Sequence, residues 1–329
     1  MKTQAASLLA RSGVLALSPH KISVLKHGAE GLDDYLSEQL ETDHLLLAMY
    51  IGTDRAVSKP VLQVLTAKGR LLGFAKVGSN TVTAPLVHGE AATLLHLADR
   101  ELSSLRVPRV LHAAKWSGNE ILVQEALVVD SYGDPSPSEL LLATREVSLL
   151  AGRRAGKVAS STYLCRLRER METVPEDWRP LMLDALDEVV RSAGDTTVAF
   201  GAWHGDWTPW NMAPAGSRLS VWDWEHFDSD VPIGFDAIHH SIATNLVIGG
   251  QPPVDAVSFV STTVHERLRE MEVEPGSVDL VMTLYLLEIG TRYLRDGEHE
   301  AGTRLGRSIH EWLIPAVQAA LSRHQNRSQ

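Results

Sequence analysis

Between residues 199 and 225 the chain reads AFGAWHGDWTPWNMAPAGSRLSVWDWE, and within it an acid, an amide and a second acid stand at telling spacings. Asp206 follows His204-Gly205, Asn211 lies five residues further on, and Asp223 ends the apolar run Leu219 to Trp222. Ala199 to Trp203 reads as extended, Ala215-Gly216-Ser217 as a turn, and the resulting hairpin brings Asp206, Asn211 and Asp223 to one end of a small structure. Phosphoryl transfer from Mg-ATP needs such a set. One carboxylate positions and deprotonates an attacking hydroxyl, while an Asn and a second Asp supply oxygen ligands to hard Mg²⁺. The spacing of His204, Asp206 and Asn211 is that of the kinase loop H-R-D-x-x-x-x-N, with Gly205 in place of Arg. A lone Asp and Asn would more simply cap a turn, so the reading depends on what positions them.

The elements upstream supply the rest. His44 to Gly52, Pro60 to Leu65 and Leu71 to Val77 read as three strands of a meander, with Lys76 in the third. From Pro85 to Leu105 the apolar period becomes helical (Val87, Ala91, Leu94, Leu95, Ala98, Leu102), and Glu90 falls on that helix. Val107 to Ala113 and Glu120 to Leu127 read as two more strands, and the Gly-, Pro-, Ser- and Asp-rich stretch 130–138 as a linker. Beyond it the pattern is mainly helical. A strand Lys followed by a helical Glu, ahead of the loop above, is the order in which kinases place the phosphate-holding lysine and its partner. The expected fold is α+β and bilobal: a small N-terminal lobe with a mainly antiparallel five-stranded sheet and one helix, then a larger, mainly helical lobe. The expected divisions are 1–40 as an extension, 41–126 as a nucleotide-binding lobe and 127–329 as a catalytic and acceptor-binding lobe.

Composition narrows the partners. Of 329 residues 44% are hydrophobic, enough for a substantial core, and 41 acidic against 31 basic residues give a net charge of −10. With no basic patch (Arg166, Arg168 and Arg170 alternate with Glu169 and Glu172), neither nucleic acid nor an anionic membrane is an expected partner. The single Cys165 excludes an intrachain disulfide, and no apolar run reaches the ~20 residues of a membrane span. Arg11 interrupts the apolar start from Ala5 to Ala10, so a cytoplasmic location is expected.

WHGDWTPWNM (Trp203 to Met212) and VWDWEHFD (Val221 to Asp228) resemble the aminoglycoside phosphotransferase and choline kinase-like superfamily, small-molecule kinases with a protein-kinase-like fold. The resemblance is strongest over residues 199–236. It implies ATP and Mg²⁺ as cofactors, Asp206 as catalytic base, Asn211 and Asp223 as metal ligands, Lys76 as phosphate clamp and Glu90 as its partner. It implies a hinge from Glu125 to Leu127 with Gln124 as gatekeeper, and a bracing role for His204. The phosphate-covering loop would be Gly52 to Lys59, whose single glycine departs from G-x-G-x-x-G; there Thr53, Arg55 and Ser58 would serve through hydroxyls and backbone amides.

The acceptor is the part least determined by these residues: an aminoglycoside, amino sugar, sugar or amino alcohol. Trp207 and Trp210 stand in the loop, where indole faces stack on sugars or attract ammonium groups, or simply anchor the loop. Glu225, Asp228, Asp230 and Glu288 are candidate carboxylates for a basic acceptor, or solvated charge; Asp236 and Asp296 carry the same ambiguity. Two other readings stay open: a non-catalytic nucleotide-binding module, and a metallohydrolase built on His204, Asp206 and His239 or His240.

Overall fold

The computed structural model describes residues 31–49, 57–130 and 133–327. The chain divides into two compact units, Met1–Leu45 and Leu46–Gln329. The described part of the first contains α1 (Leu32–Gln39), in which Leu36 is buried. Ser37 Oγ donates to the Asp33 carbonyl and accepts from the Leu45 amide.

In the second unit a five-stranded sheet runs in the order β1 (Leu45–Met49), β2 (Val61–Thr66), β3 (Leu71–Gly78), β6 (Asn119–Glu125), β5 (Val110–Trp116). The β2/β3, β3/β6 and β5/β6 pairs are antiparallel. Burial explains the placement. β5 alternates half-buried and exposed positions, as a strand with one wet face does, whereas Ile121 to Gln124 of β6 are buried in succession. Ser117 and Gly118, both at positive φ, form the two-residue turn that joins them. Helix α2 (Thr83–Leu97) buries Val87, Glu90, Ala91, Leu94 and Leu97 along one stripe, and Asn80 Oδ1 caps its start by accepting from the Val82 and Thr83 amides.

The helix expected to reach Leu105 ends at Leu97. Leu105–Arg106 is instead a short strand, β4, parallel to β10 (Arg218–Val221), and the Ser104 carbonyl accepts from the Leu219 amide. Buried Leu105 gains more from that tertiary pairing than from another helical turn, an override that local periodicity does not register.

Helix α3 (Pro137–Leu149) opens on a capping box between Ser136 and Glu139, with Pro137 at its first turn. It leads to β7 (Arg154–Lys157), α4 (Thr162–Met171), α5 (Arg179–Ala193) and β8 (Thr197–Trp203). β8 is the centre of a three-stranded sheet between β11 (Asp228–Pro232) and β7. β9 (Met212–Ala215) and β10 form the antiparallel hairpin expected around Gly216. The remainder is helical: α6 (Phe235–Ala243) with a π-helical extension Thr244–Ile248, α7 (Pro253–Thr263), α8 (His265–Glu270), α9 (Val278–Arg295), α10 (Glu298–Ala301), α11 (Arg304–Arg307) and α12 (Ile309–Arg327). Apolar on nearly every side, α9 forms the centre of this part of the core. Gly290 admits Leu313 of α12, whose Cδ2 would stand 2.7 Å from any Cβ added there. None of the helices among the described residues is long and apolar enough to cross a membrane.

Candidate active site

Lys76 sits on β3 between Val61 of β2 and Leu122 of β6, and its side chain is buried. Its Nζ lies 2.6 and 2.7 Å from the two carboxylate oxygens of Glu90 on α2, and it also pairs with Asp223. Lys76 is 2% and Glu90 0% exposed. Burial alone would lower the lysine's pKa, but Asp223, Glu90 and Glu225 outweigh it and hold Lys76 above the ordinary lysine value. Burial raises Glu90 above the usual carboxylate range. Its Oε1 also accepts from the Trp224 amide, which ties α2 to the turn after Asp223.

The β9–β10 hairpin fixes Asn211 and Asp223 at its open end: Met212 pairs with Val221, and the Trp222 amide donates to the Asn211 carbonyl. Asp223 adopts a left-handed backbone, φ 65°, and its side chain is 36% exposed. Its burial opposes ionisation, but the charges of Lys76 and Lys59 prevail and keep its pKa low.

Asp206 lies in the loop before this hairpin. The Asn211 amide group donates to Asp206 Oδ2 (2.7 Å) and to the Asp206 carbonyl (3.1 Å), leaving the Asn211 amide oxygen on its other branch. His239 of α6 faces Asp206 Oδ1 through Nε2 at 3.2 Å. Burial works against the charge of Asp206, but the hydrogen bond from His239 and the positive charge of Arg292 hold its pKa well below the usual range.

The loop itself is over-determined. His204 is fully buried; its Nε2 donates to the Trp222 carbonyl (3.0 Å) and its Nδ1 accepts from the Asp206 amide (3.2 Å), which fixes the tautomer. Burial drops its pKa to about 4, so it braces the loop as a neutral imidazole. Asp236 receives the backbone amides of His204 and Gly205, and Arg292 Nη1 donates to the Gly205 carbonyl at 2.5 Å. Gly205 has φ 87°, and a Cβ there would stand 2.3 Å from the His226 carbonyl oxygen. That accounts for glycine between His204 and Asp206, where protein kinases carry arginine.

Beside Lys76 and Asp223 opens a cavity of about 380 Å³, lined by Phe74, Gln124, Glu125, Leu127 and Trp222 among others. Gln124 is buried with its Oε1 unpartnered. Among the described residues the Leu127 amide donates no hydrogen bond, whereas the Glu125 amide is taken by the Arg109 carbonyl and its side chain by the Arg109 guanidinium. Trp222 is half-buried and forms part of this wall.

Other expected residues fall differently. Thr53 and Arg55 lie outside the described residues, and Ser58 is exposed; its neighbour Lys59 instead reaches Glu225. Trp207 is buried and donates through Nε1 to Thr144 Oγ1 at 3.0 Å, an anchor of the loop with no free face for an acceptor. Trp210 is 48% exposed. The four candidate carboxylates are all engaged within the chain: Glu225 by Lys59, Asp228 by Arg166, Asp230 by Arg154 and Arg166, Glu288 by Arg170. His239 faces Asp206, whereas His240 bonds Thr244 and lines a separate cavity. Among the described residues no group of three or more His, Cys, Asp or Glu side chains is placed to hold a metal ion, which leaves the metallohydrolase reading without a site. Tyr285 and Arg292 were not expected around Asp206, and His239, expected there only as a metal ligand, instead faces its carboxylate as a hydrogen-bond partner. Only their place on helices packed behind the loop reveals them, and no local motif announces it.

About nine tenths of the chain overlays on solved structures of a thermostable mutant of the aminoglycoside phosphotransferase APH(4)-Ia. The apo form is 16% identical, with 90% of this chain and 98% of that chain covered and a TM-score of 0.51. The fold is that of the aminoglycoside phosphotransferases. Ternary complexes of the same protein with ADP and hygromycin B (15% identity, 90% and 97% covered, TM-score 0.50) and with AMP-PNP and hygromycin B (14%, 91% and 98%, TM-score 0.50) share it too. No family model matches the sequence, and no curated protein matches it. The aminoglycoside phosphotransferase fold is thus kept here at an identity where little beyond the framework is common to the two sequences.

Proposed function

We propose that the protein is an ATP-dependent small-molecule kinase that transfers the γ-phosphate to a hydroxyl of a small acceptor. The observation that carries this reading is the meeting of Lys76, Glu90 and Asp223 at the mouth of the 380 Å³ cavity, with the Asn211–Asp206 pair at the end of the same hairpin. The shared fold supports it, and nucleotides are bound in the solved complexes named above.

In this reading adenine enters the cavity beside Gln124 and meets the unused Leu127 amide, while Lys76, charged throughout the neutral range, holds the α- and β-phosphates. Asn211 and Asp223 would hold Mg²⁺. The donor set fits: a free amide oxygen and an ionised carboxylate are hard ligands, and Mg²⁺ takes few protein oxygens, completing its shell with phosphate and water. When bound, the metal neutralises charge on the transferring phosphoryl group. Asp206 accepts the proton of the acceptor hydroxyl. His239 and Asn211 hold its two oxygens in one orientation, so that the hydroxyl meets a pre-aimed base. Ionised at neutral pH, Asp206 is ready to accept from the first encounter.

Titration of ATP into the protein with and without Mg²⁺, repeated with Asn211→Ala and Asp223→Ala, tests the nucleotide half of this reading. The expected result is Mg²⁺-dependent binding that both substitutions weaken. Binding indifferent to metal and to both substitutions would contradict it.

A further inference from the structure

Lys59 ends the stretch expected to cover the phosphates and stands two residues before β2. Unlike an ordinary surface lysine it is drawn inward: its side chain is 10% exposed, and that of its partner Glu225 11%. The β2–β3 register fixes its place. Val61 pairs with Lys76, and the Pro60 carbonyl still accepts from the Val77 amide at 3.1 Å. Residues two apart on extended chain share a face, so Lys59 lies on the face of Val61 and Lys76. That face, with Val61, Phe74 and Lys76, lines the nucleotide cavity. Phe74 pairs with Gln124, Lys76 comes next, and Lys59 stands one step beyond Val61 on the side away from Gln124. Each such step advances about 7 Å along the strand. A nucleotide with adenine beside Gln124 and its first two phosphates at Lys76 runs the same way, which brings its terminal phosphate toward Lys59.

Glu225, two residues after Asp223, holds the Lys59 ammonium at this end of the site. The two lysines and the carboxylates form one cluster: the charge of Lys59 reaches Asp223 and His226, and that of Glu225 reaches Lys76. An ammonium can donate three hydrogen bonds. Lys76 already meets both oxygens of Glu90 and one of Asp223, so it turns to phosphate only by leaving one of them. Among the described residues Lys59 donates to Glu225 alone. It can keep that partner, which fixes its aim, and donate to a phosphate oxygen as well. Bonds of this kind, between a charged donor and a charged acceptor in a site shielded from water, are the strong ones. The covering stretch, Gly52 to Lys59, has a single glycine and therefore few places where bare backbone can approach a phosphate. A lysine side chain at its end supplies the missing donor.

Resting on the kinase reading above, we infer that Lys59 contacts the terminal phosphate of the bound nucleotide and that Glu225 positions it for that contact. Lys76 and Lys59 then divide the triphosphate between them, the inner phosphates to the first and the outer one to the second. Lys59 thereby distinguishes the triphosphate from the diphosphate product, which loses that hold once its outer phosphate has left.

The test is calorimetric titration of the full chain with Mg-ADP and with Mg-AMP-PNP, whose terminal phosphate stays in place. If the unaltered protein binds neither, the kinase reading itself fails. Given binding, Lys59→Met should weaken AMP-PNP by about tenfold or more and ADP by no more than about twofold. Lys59→Arg should restore most of the loss. Removing Lys59 also bares Glu225, whose charge would itself repel phosphate. Lys59→Met is therefore repeated on a Glu225→Gln background, where the same selective loss should appear relative to Glu225→Gln alone. Thermal melts check the fold; if Lys59→Met is unstable, Lys59→Gln, which keeps a donor toward Glu225 without the charge, is measured in its place. Equal losses for ADP and AMP-PNP, an unchanged affinity for AMP-PNP, or a loss that vanishes on the Glu225→Gln background would each overturn the inference.

Discussion

His239 links Asp206 to the protein core: its Nε2 lies 3.2 Å from Asp206 Oδ1 and its Nδ1 3.0 Å from the hydroxyl of buried Tyr285. A carboxylate only accepts, so Nε2 carries the proton and Nδ1 accepts from Tyr285. The Asp206 oxygens are thereby held from two directions, Oδ1 by α6 and Oδ2 by Asn211. Replacing His239 with Ala should lower kcat about tenfold or more while ATP affinity changes little, because the loss is one of aim. His239→Gln, whose amide can donate from a similar position, should recover part of it. Steady-state kinetics beside ATP titration check this; equal losses from Ala and Gln would count against a positioning role.

The buried Lys76–Glu90 pair makes a stability prediction. Lys76→Ala strips the partner from a carboxylate that is 0% exposed, at a cost of about 3–5 kcal/mol. Adding Glu90→Gln removes the stranded charge, so the double variant should be more stable than Lys76→Ala alone. Urea unfolding of Lys76→Ala, Glu90→Gln and the double variant gives the answer, and additivity of the two single losses would contradict the coupling.

Gly205 tests the loop geometry. Gly205→Ala places a methyl group against the His226 carbonyl at a positive φ and should cost about 1–3 kcal/mol locally. Since Gly205 adjoins Asp206, turnover should fall more than ATP binding. Calorimetric melting and kinetics on one preparation measure both.

Stability should also depend on pH in a direction the histidines set. Burial lowers His204 and His240 to about 4 and lowers His226 and His239 as well. A histidine whose folded pKa lies below its unfolded value of about 6.5 binds fewer protons folded than unfolded. Its contribution is therefore complete above about 6.5 and is lost as pH falls toward 4, by up to about 1.4 kcal/mol per group per pH unit. Asp236 and Asp296, raised by burial to about 7 and about 6, and Glu90, also raised, act with the opposite sign within that window, but they are three groups against four. The melting temperature should fall as pH drops from 6.5 to 4; a flat profile would mean these imidazoles are not buried as described.

The sequence made some of this legible and hid the rest for physical reasons. Strands β2 and β3 and the hairpin around Gly216 follow from local pattern, because each buries one face or turns at a glycine. The grouping of Lys76, Glu90, Asn211 and Asp223 was readable because motif spacing encodes chain reach. Trp207 was readable either as a ligand platform or as an anchor of the loop, and its N–H bond to Thr144 and its rings in the core make it the anchor. Glu225, Asp228, Asp230 and Glu288 suggested a basic acceptor for as long as their partners, tens of residues away in sequence, were unseen. Arg292 was invisible in the same way, and His239, named only as a metal ligand, is brought to Asp206 by helix packing as well.

The central claim is that Asp206 acts on the acceptor hydroxyl and contributes little to holding nucleotide. Its most direct test is Asp206→Asn, measured for kcat with an acceptor that turns over and for the dissociation constant of Mg-ATP. The account predicts a kcat reduced by about two to four orders of magnitude with the ATP dissociation constant within a few-fold of the original. Retained turnover, or a loss explained wholly by weaker ATP binding, would contradict it.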